Sequence, residues 1–326
     1  MRGKRGPEWR WSWPVKQGTG LSCDSKMHEG IISQGNQGLT DNELNQSCDM
    51  HSVFVNLILA EFGFFTLMSS SSVSSVLVTG SAGFLGQALV STLAGAGLNV
   101  RGLDVVAGPV IDGVLPVEAL VGDVSDPEAV ARACASQEAL VIAHMAPNRP
   151  GVYDTAELPF DINVKGTALL FENAVRLGMK RVVLISSIAV VDGYRADNIR
   201  LTCALPARPL SPYGLTKVCQ EEIAAYHHRV SGLSVAILRP AYVTDADTLT
   251  DKYGRHRASV NWQYVDRRDV AGAVLAALRA PALTFGRYFV HGHPGAMAKL
   301  ETEPAARELG WSPRYDFRAY PDDLPV

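Results

Sequence analysis

The sequence predicts an α/β fold, a doubly wound parallel sheet, and two observations carry that prediction. From Val76 onward short apolar runs alternate with longer amphipathic ones, the pattern of strands and helices that cover a parallel sheet on both faces. The first apolar run meets three glycines, Gly80, Gly83 and Gly86, in the segment VLVTGSAGFLG, at a spacing that lets backbone lie against a phosphate.

Taken in order, VLVTG reads as a strand and FLGQALVSTLAGAG as a helix closed by Gly97. LNVRGLD is a second strand ending at Asp104, and ALVGD a third ending at Asp123. ALVIAHMA is the next strand, followed by a long helix near residues 157–177. RVVLISS is a strand, SPYGLTKVCQEEIAAYHHRV a helix, and SVAILRP another strand. The remaining chain is shorter in its periods: a helix after Asp269, a strand GRYFVHG, a small helix before Trp311, and a polar tail. No internal repeat interrupts this order.

Residues 1–67 differ from the rest. MRGKRGPEWRWSWPVKQGTG is followed by a polar run rich in Gly, Gln, Asn and Ser with no hydrophobic period, so this segment is expected to be a disordered or non-structural extension. Within it, VFVNLILAEFGFFTLM is the only membrane suspect. It has 16 residues, includes Asn56 and Glu61, and falls short of the roughly 20 apolar residues a span needs. Residues 68–326 are expected to form a single domain.

Composition narrows the function. With 47% hydrophobic residues, 19% charged residues and a net charge of −3, the chain has no basic excess to attract nucleic acid or an anionic membrane. Five scattered cysteines without a CxxC pair argue against a disulfide framework or a zinc site and for a reducing, cytoplasmic setting. His291 and His293 are close in sequence, but without acidic or Cys partners at ligand spacing no metal is assigned to them. His227 and His228, at a helix end, are expected to be solvated.

The three glycines follow a strand and open a helix, the context in which their spacing signals dinucleotide binding. Gly80 allows the tight turn, Gly83 the approach of a pyrophosphate, and Gly86 close packing of helix on strand. Ser81, Phe84 and Leu85 lie on the same turn, where the helix N-terminus offers unpaired N–H groups and a positive dipole end. Asp104 stands 18 positions after Gly86 at the next strand end, where it can accept from ribose hydroxyls and repel a 2′-phosphate. NAD is therefore expected, with NADP disfavoured.

Chemistry points to SPYGLTK, residues 211–217. Ser211 and Pro212 suit a helix start, and Tyr213 and Lys217 then share one helical face. An ammonium one turn away is expected to favour the phenolate of Tyr213 and make it a usable proton carrier. Upstream, Ser186 and Ser187 fall at the C-terminal end of a strand, where doubly wound folds hold their ligands; Ser187 is the preferred catalytic serine.

With these pieces in place the sequence resembles the extended short-chain dehydrogenase/reductase family, of NAD-dependent epimerase/dehydratase type. The matching segments are TGSAGFLG, Asp104, GDV, AHMA, Asn163 in NVKGT, SSIAV, YGLTK and LRPAYV, spread in order over residues 76–243. The resemblance implies a Rossmann sheet with a small C-terminal substrate-binding portion, mainly from residues 240–326. It implies that Asp123 and Val124 lie by the adenine and that Ala143, His144 and Ala146 line the cofactor, His144 without a catalytic role. Asn163 would support the active-site helix and its water. Tyr213 would be the acid/base, Lys217 would hold the nicotinamide ribose, and Pro240 and Val243 would border the nicotinamide.

The family mechanism would be hydride exchange with NAD while Tyr213 moves the proton. The short stretch after Tyr213 and the ending EPAARELGWSPRYDF look most like the uronate-dehydrogenase-like branch, which oxidises free sugar acids. Where that branch carries Asn-His after the serine pair, this chain has Ile188-Ala189, which is expected to make the pocket more apolar. The expected activity is an NAD-dependent oxidoreductase acting on a small-molecule alcohol or carbonyl, in a homodimer. A sugar or nucleotide-sugar epimerase or dehydratase, and a non-catalytic NAD-sensing protein, are the alternatives; SSIAV lacks the acidic residues that dehydration would use beside Ser187.

Overall fold

In the computed structural model the residues described are 73–108, 118–148 and 152–323. The expectations for residues 1–67 lie outside them.

Seven strands make the main sheet: β1 (Ser75–Thr79), β2 (Asn99–Asp104), β3 (Glu118–Val121), β4 (Ala139–Ile142), β5 (Arg181–Ile185), β6 (Ser234–Pro240) and β10 (Phe285–Val290). Their order is β10-β6-β5-β4-β1-β2-β3 and every pairing is parallel. Strands covered on both faces need apolar residues at successive positions rather than alternate ones. Residues 76–78 and 139–142 satisfy this, all fully buried.

Helices α1 (Phe84–Gly95) and α5 (Arg267–Arg279) cover one face. There Leu89, Leu93, Val270 and Val274 meet Val76, Val78, Val141 and Leu238. Helices α2 (Pro127–Cys134), α3 (Gly166–Arg176) and α4 (Pro212–Ser231) cover the other, with Val130, Leu170, Phe171 and Ala224 against Leu77, Leu140, Leu184 and Ile237. Helix α6 (Glu303–Leu309) closes the chain.

The structure departs from the sequence reading in four places. Helix α2 was not expected, although its start is marked by Asp126, whose carboxylate accepts from the Glu128 amide at 2.9 Å, and by Pro127. The helix expected near 157–177 opens with a π-helical turn, Phe160–Lys165, before α3. Helix α5 begins at Arg267, before Asp269, because Asp266 caps it by accepting from the Arg268 amide at 2.7 Å. A second sheet, order β8-β7-β9, is built from Tyr242–Asp245 (β7), Thr250–Asp251 (β8) and Tyr264–Asp266 (β9). Strands of two to four residues have no period to detect.

The histidines at the end of α4 are not solvated as expected. His227 is buried with its ring stacked on Phe171 at 5.4 Å between centroids, and His228 stacks on Phe285 at 4.9 Å while its Nδ1 meets the Leu233 carbonyl at 2.9 Å. The helix end lies over the sheet, so aromatic surface is worth more there than hydration.

Candidate active site

In this strand order β1 and β4 are neighbours and the connections run outward from them in opposite directions, which opens a crevice at their C-terminal ends. The glycine turn stands in that crevice. Gly80 adopts φ +72°, and a side chain there would press on the His144 backbone, with its Cβ 2.8 Å from the His144 Cα. A Cβ on Gly86 would land on the Gly80 carbonyl, so the first turn of α1 packs directly on the end of β1. Gly83 is the N-cap of α1 and supplies no side-chain cap. The first amides of the helix, from Phe84 to Gly86, therefore point outward without an intrahelical partner. An uncapped helix start on a cradle of glycines fits a pyrophosphate.

Asp104 ends β2 beside this turn. One carboxylate oxygen accepts from the Ala82 amide at 3.0 Å and the other faces the Val106 amide at 3.4 Å. Gly102, not singled out in the sequence, is required here: a Cβ on it would meet the Ser81 hydroxyl at 2.6 Å. Phe84 lies under the Arg267 guanidinium, 5.0 Å from its ring centroid, while Leu85 turns into the core.

Other expected cofactor contacts are more structural. The Asp123 carboxylate accepts from the Ser125 amide at 2.8 Å. The Val124 side chain is buried in the core beside Gly166, so only its backbone can face the crevice. Ala143 donates its amide to Thr79 at 3.2 Å. Ala146 is fully buried, its amide donating to Asn163 Oδ1 at 2.7 Å, which makes it a support for the loop rather than a lining residue. Pro240 ends β6 and Val243 lies in β7, partly packed on the core.

His144 is held between Thr79 Oγ1 (2.9 Å from Nδ1) and the Ile162 carbonyl (3.1 Å from Nε2). A carbonyl only accepts, so Nε2 carries the proton and Nδ1 accepts from the Thr79 hydroxyl. Burial, and then the Lys217 charge, push its pKa down to about 3. It is a neutral structural joint between β1, β4 and the π-helical turn.

The reacting end is assembled by α4. Ser211 caps the helix, accepting from the Gly214 amide at 3.1 Å, and Gly214 lies so close to the Ala189 carbonyl that a Cβ there would approach it to 2.7 Å. That contact brings the Ser187 turn onto the helix start. Ser187, extended at φ −161°, accepts from the Ala189 amide at 3.1 Å, and its hydroxyl is near enough to the Tyr213 phenol to act on its pKa. One turn on, the buried Lys217 donates from Nζ to the Ile185 carbonyl at 2.9 Å, with its ammonium 5.7 Å from the Tyr213 ring centroid.

The expectation that Lys217 lowers the Tyr213 pKa needs correction. Burial raises the phenol, with the Ser187 hydrogen bond acting in the opposite direction. The lysine itself is pushed down to about 7, by burial and then by the Lys252 charge, against support from Glu221. Among the protein's own groups, Tyr213 is a neutral proton donor.

Asn163 is fully buried in the π-helical turn. It accepts from the Ala146 amide and donates to Thr216 Oγ1 at 2.9 Å, and Thr216 donates in turn to the Tyr213 carbonyl at 2.9 Å. It positions the helix and does not touch the reacting centre. The Ile188 side chain packs into an apolar cluster with Val190, Val191, Leu201 and Phe289 rather than lining the pocket, a further difference from expectation.

The sequence reading missed the group behind the serines. Glu221, four residues past Lys217, takes a hydrogen bond from Ser186 Oγ at 2.6 Å and a two-pronged ion pair from Arg239 at 2.8 and 2.7 Å, with Arg287 at 3.1 Å. Ser186 is thus a structural serine. The signal was available: Tyr213, Lys217 and Glu221 recur every fourth residue on one helix face. His293, for which no acidic partner was expected, meets the Asp322 carboxylate at 2.8 Å, and His291 lies edge-on to Trp311.

Comparison with known proteins agrees with this geometry. The family model described as the NAD dependent epimerase/dehydratase family matches residues 76–247. Sterol demethylase protein B of Methylococcus capsulatus is 34% identical over 238 residues, 67% of this chain and 70% of that protein. Uronate dehydrogenase of Pseudomonas syringae pv. tomato is 31% identical over 169 residues, 50% of this chain and 58% of the relative. Among solved structures, uronate dehydrogenase from Agrobacterium tumefaciens superposes with a TM-score of 0.61 at 25% identity, over 76% of this chain and 86% of that one.

Proposed function

The chain belongs to the NAD dependent epimerase/dehydratase family, and from that premise we propose that it is an NAD-dependent oxidoreductase that interconverts an alcohol and a carbonyl on a small molecule, with a sugar acid or related hydroxy acid as the substrate class. The observation that carries this reading is the packing of the Ser187 turn on the start of α4, where Tyr213 stands one helical turn from the buried Lys217 and its ring centroid lies 5.7 Å from the ammonium.

When bound, NAD supplies the hydride acceptor or donor. The uncapped start of α1 and the glycine turn would hold its pyrophosphate, and Asp104 its adenosine ribose. Lys217 would reach the second ribose. Tyr213, kept protonated by burial, would give its proton to a carbonyl oxygen as the carbon gains a hydride, and in the reverse direction the phenolate so formed would take the proton of the alcohol as the carbon loses one. Ser187 donates to the same oxygen and keeps it in line with the phenol. Positioned proton transfer of this kind contributes roughly 10²–10⁴-fold to rate.

One observation favours the second reading, an epimerase or dehydratase. Asp192, its pKa raised by burial against the pull of Arg195 at 2.7 Å, lies in electrostatic range of Tyr213 and could serve as a second acid. Purified protein incubated with NAD and a panel of sugar acids, polyols and secondary alcohols separates the two. An oxidoreductase accumulates NADH in proportion to product, whereas an epimerase or dehydratase returns its hydride and accumulates none.

The assembly we propose is a homodimer in the cytoplasm. The support is an outward-facing apolar stripe on α4 for the dimer, and for the compartment five scattered cysteines without a CxxC pair, as a reducing setting favours.

A further inference from the structure

The second sheet carries a hairpin that reaches back to the reacting end. In the turn after β8, Lys252 Nζ donates to Asn148 Oδ1 at 3.2 Å and lies 4.7 Å from the Tyr253 ring centroid. The Tyr253 hydroxyl donates to the same Asn148 oxygen at 3.0 Å. Asn148 belongs to the loop after β4, the loop that also carries His144 and Ala146. Three polar groups from two separate segments therefore converge on one point.

That point is next to the chemistry. Two residues before Asn148, Ala146 donates to Asn163 Oδ1 at 2.7 Å, and Asn163 donates to Thr216 at 2.9 Å, which ties this loop to the first turn of α4 and Tyr213. The Lys252 charge acts on Lys217 in the same direction as burial. The neighbouring carboxylate supports the lysine's charge without bonding to it, because Asp251 is taken up by Tyr242 at 2.6 Å, by Arg255 at 2.8 Å and by backbone amides. Among the described residues no ion pair joins Lys252 to a carboxylate. From the loop, Lys252 Nζ meets only neutral acceptors, the Asn148 carboxamide oxygen and the Met145 thioether sulfur at 3.3 Å. An anion placed there exchanges weak neutral contacts for charge-assisted ones.

We propose that Lys252, Tyr253 and Asn148 form the subsite that receives the carboxylate of an acidic substrate whose alcohol or carbonyl carbon lies at Tyr213. The inference rests on the oxidoreductase reading for what happens next to Tyr213, but the subsite is defined by binding alone. An anion could also come from the cofactor's pyrophosphate. The uncapped start of α1 already provides for that group, whereas Lys252 stands at the reacting end.

The test uses the full chain, loaded with NADH, titrated calorimetrically with D-galacturonate and with its neutral counterpart D-galactose. The wild type is expected to bind the acid in preference to the neutral sugar. Lys252→Met should lower affinity for the acid by about 10- to 100-fold, the range for loss of a hydrogen bond to a charged group, while Lys252→Arg should restore most of it. NADH affinity, read by fluorescence titration, should be the same in all three proteins.

A wild type with no preference for the acid overturns the proposal, whatever it turns over. So does a Lys252→Met variant that loses NADH affinity and keeps its acid preference, which would hand the lysine to the cofactor. Acid preference that depends on Lys252 without any hydride transfer would uphold the subsite and remove the oxidoreductase reading instead.

Discussion

Tyr213 is the residue on which the proposed chemistry turns, since in that reading its phenol carries the proton and Ser187 shares the oxygen it acts on. Tyr213→Phe keeps the ring and its packing and deletes the proton. Turnover should fall by at least about 100-fold while the NAD dissociation constant stays within a factor of two or so; near-normal turnover would remove the mechanism. Asp104 should set cofactor choice: Asp104→Ala removes the ribose acceptor and the repulsion of a 2′-phosphate, so the ratio of NAD to NADP kcat/KM should fall. It should also loosen the glycine turn, because the same carboxylate holds the Ala82 amide.

His144 makes a pH prediction at the same scale. Its folded pKa, about 3, lies below the ordinary value of 6.5, so between those limits the unfolded chain binds the proton and the folded one does not. Stability therefore rises with pH across that window and is lost as pH falls from about 6.5 toward 3, with a slope approaching about 1.4 kcal/mol per pH unit from this one group. Urea denaturation at pH 7 and pH 5 should show the loss, and His144→Gln should flatten it.

At the scale of elements, α4 links catalysis to the sheet. Tyr213, Lys217 and Glu221 descend one face, and Glu221 ties the helix to β6 through Arg239 and to β10 through Arg287. Burial alone would raise the Glu221 carboxyl, but the Arg239 guanidinium outweighs it and holds the pKa down. Both partners are only 4% exposed, so removing one leaves a buried charge. Arg239→Met should lower stability by about 3–5 kcal/mol, seen as a shift of the denaturation midpoint. A loss under 1 kcal/mol would show that the pair is not what joins helix and sheet.

The long helices were legible from their period, the buried main-sheet strands from unbroken apolar runs such as residues 76–78 and 139–142, and the glycine turn from its spacing. Glu221 was legible in principle from the same four-residue spacing. Lys252 was not: it lies 35 residues beyond Lys217, in a turn between strands too short to register, and only the tertiary fold brings it to Asn148. The Tyr213 pKa was misjudged because sequence shows a neighbouring charge but not the burial that outweighs it.

At the scale of the whole molecule, the described residues, all between 73 and 323, belong to one compact unit. A chain starting at Met68 should keep the melting temperature and NAD affinity of the full protein; insolubility or lost NAD binding would make the first 67 residues part of the working structure.

The outer surface of this unit carries its own instruction. On α4, Leu215, Tyr226 and Val230 are 44%, 47% and 59% exposed, and with the half-buried Cys219 they fall at spacings of four, seven and four residues, along one side of the helix. A helix whose inner face already packs on the sheet gains nothing from apolar residues outside unless another surface covers them. A second copy of the same helix, related by a two-fold axis, would cover the stripe with itself. Light scattering at micromolar concentration should therefore report two chains, and Tyr226→Glu combined with Val230→Glu should report one, with NAD binding retained because neither residue approaches the crevice. A wild-type monomer, or a double variant that remains dimeric, would place the interface elsewhere or remove it.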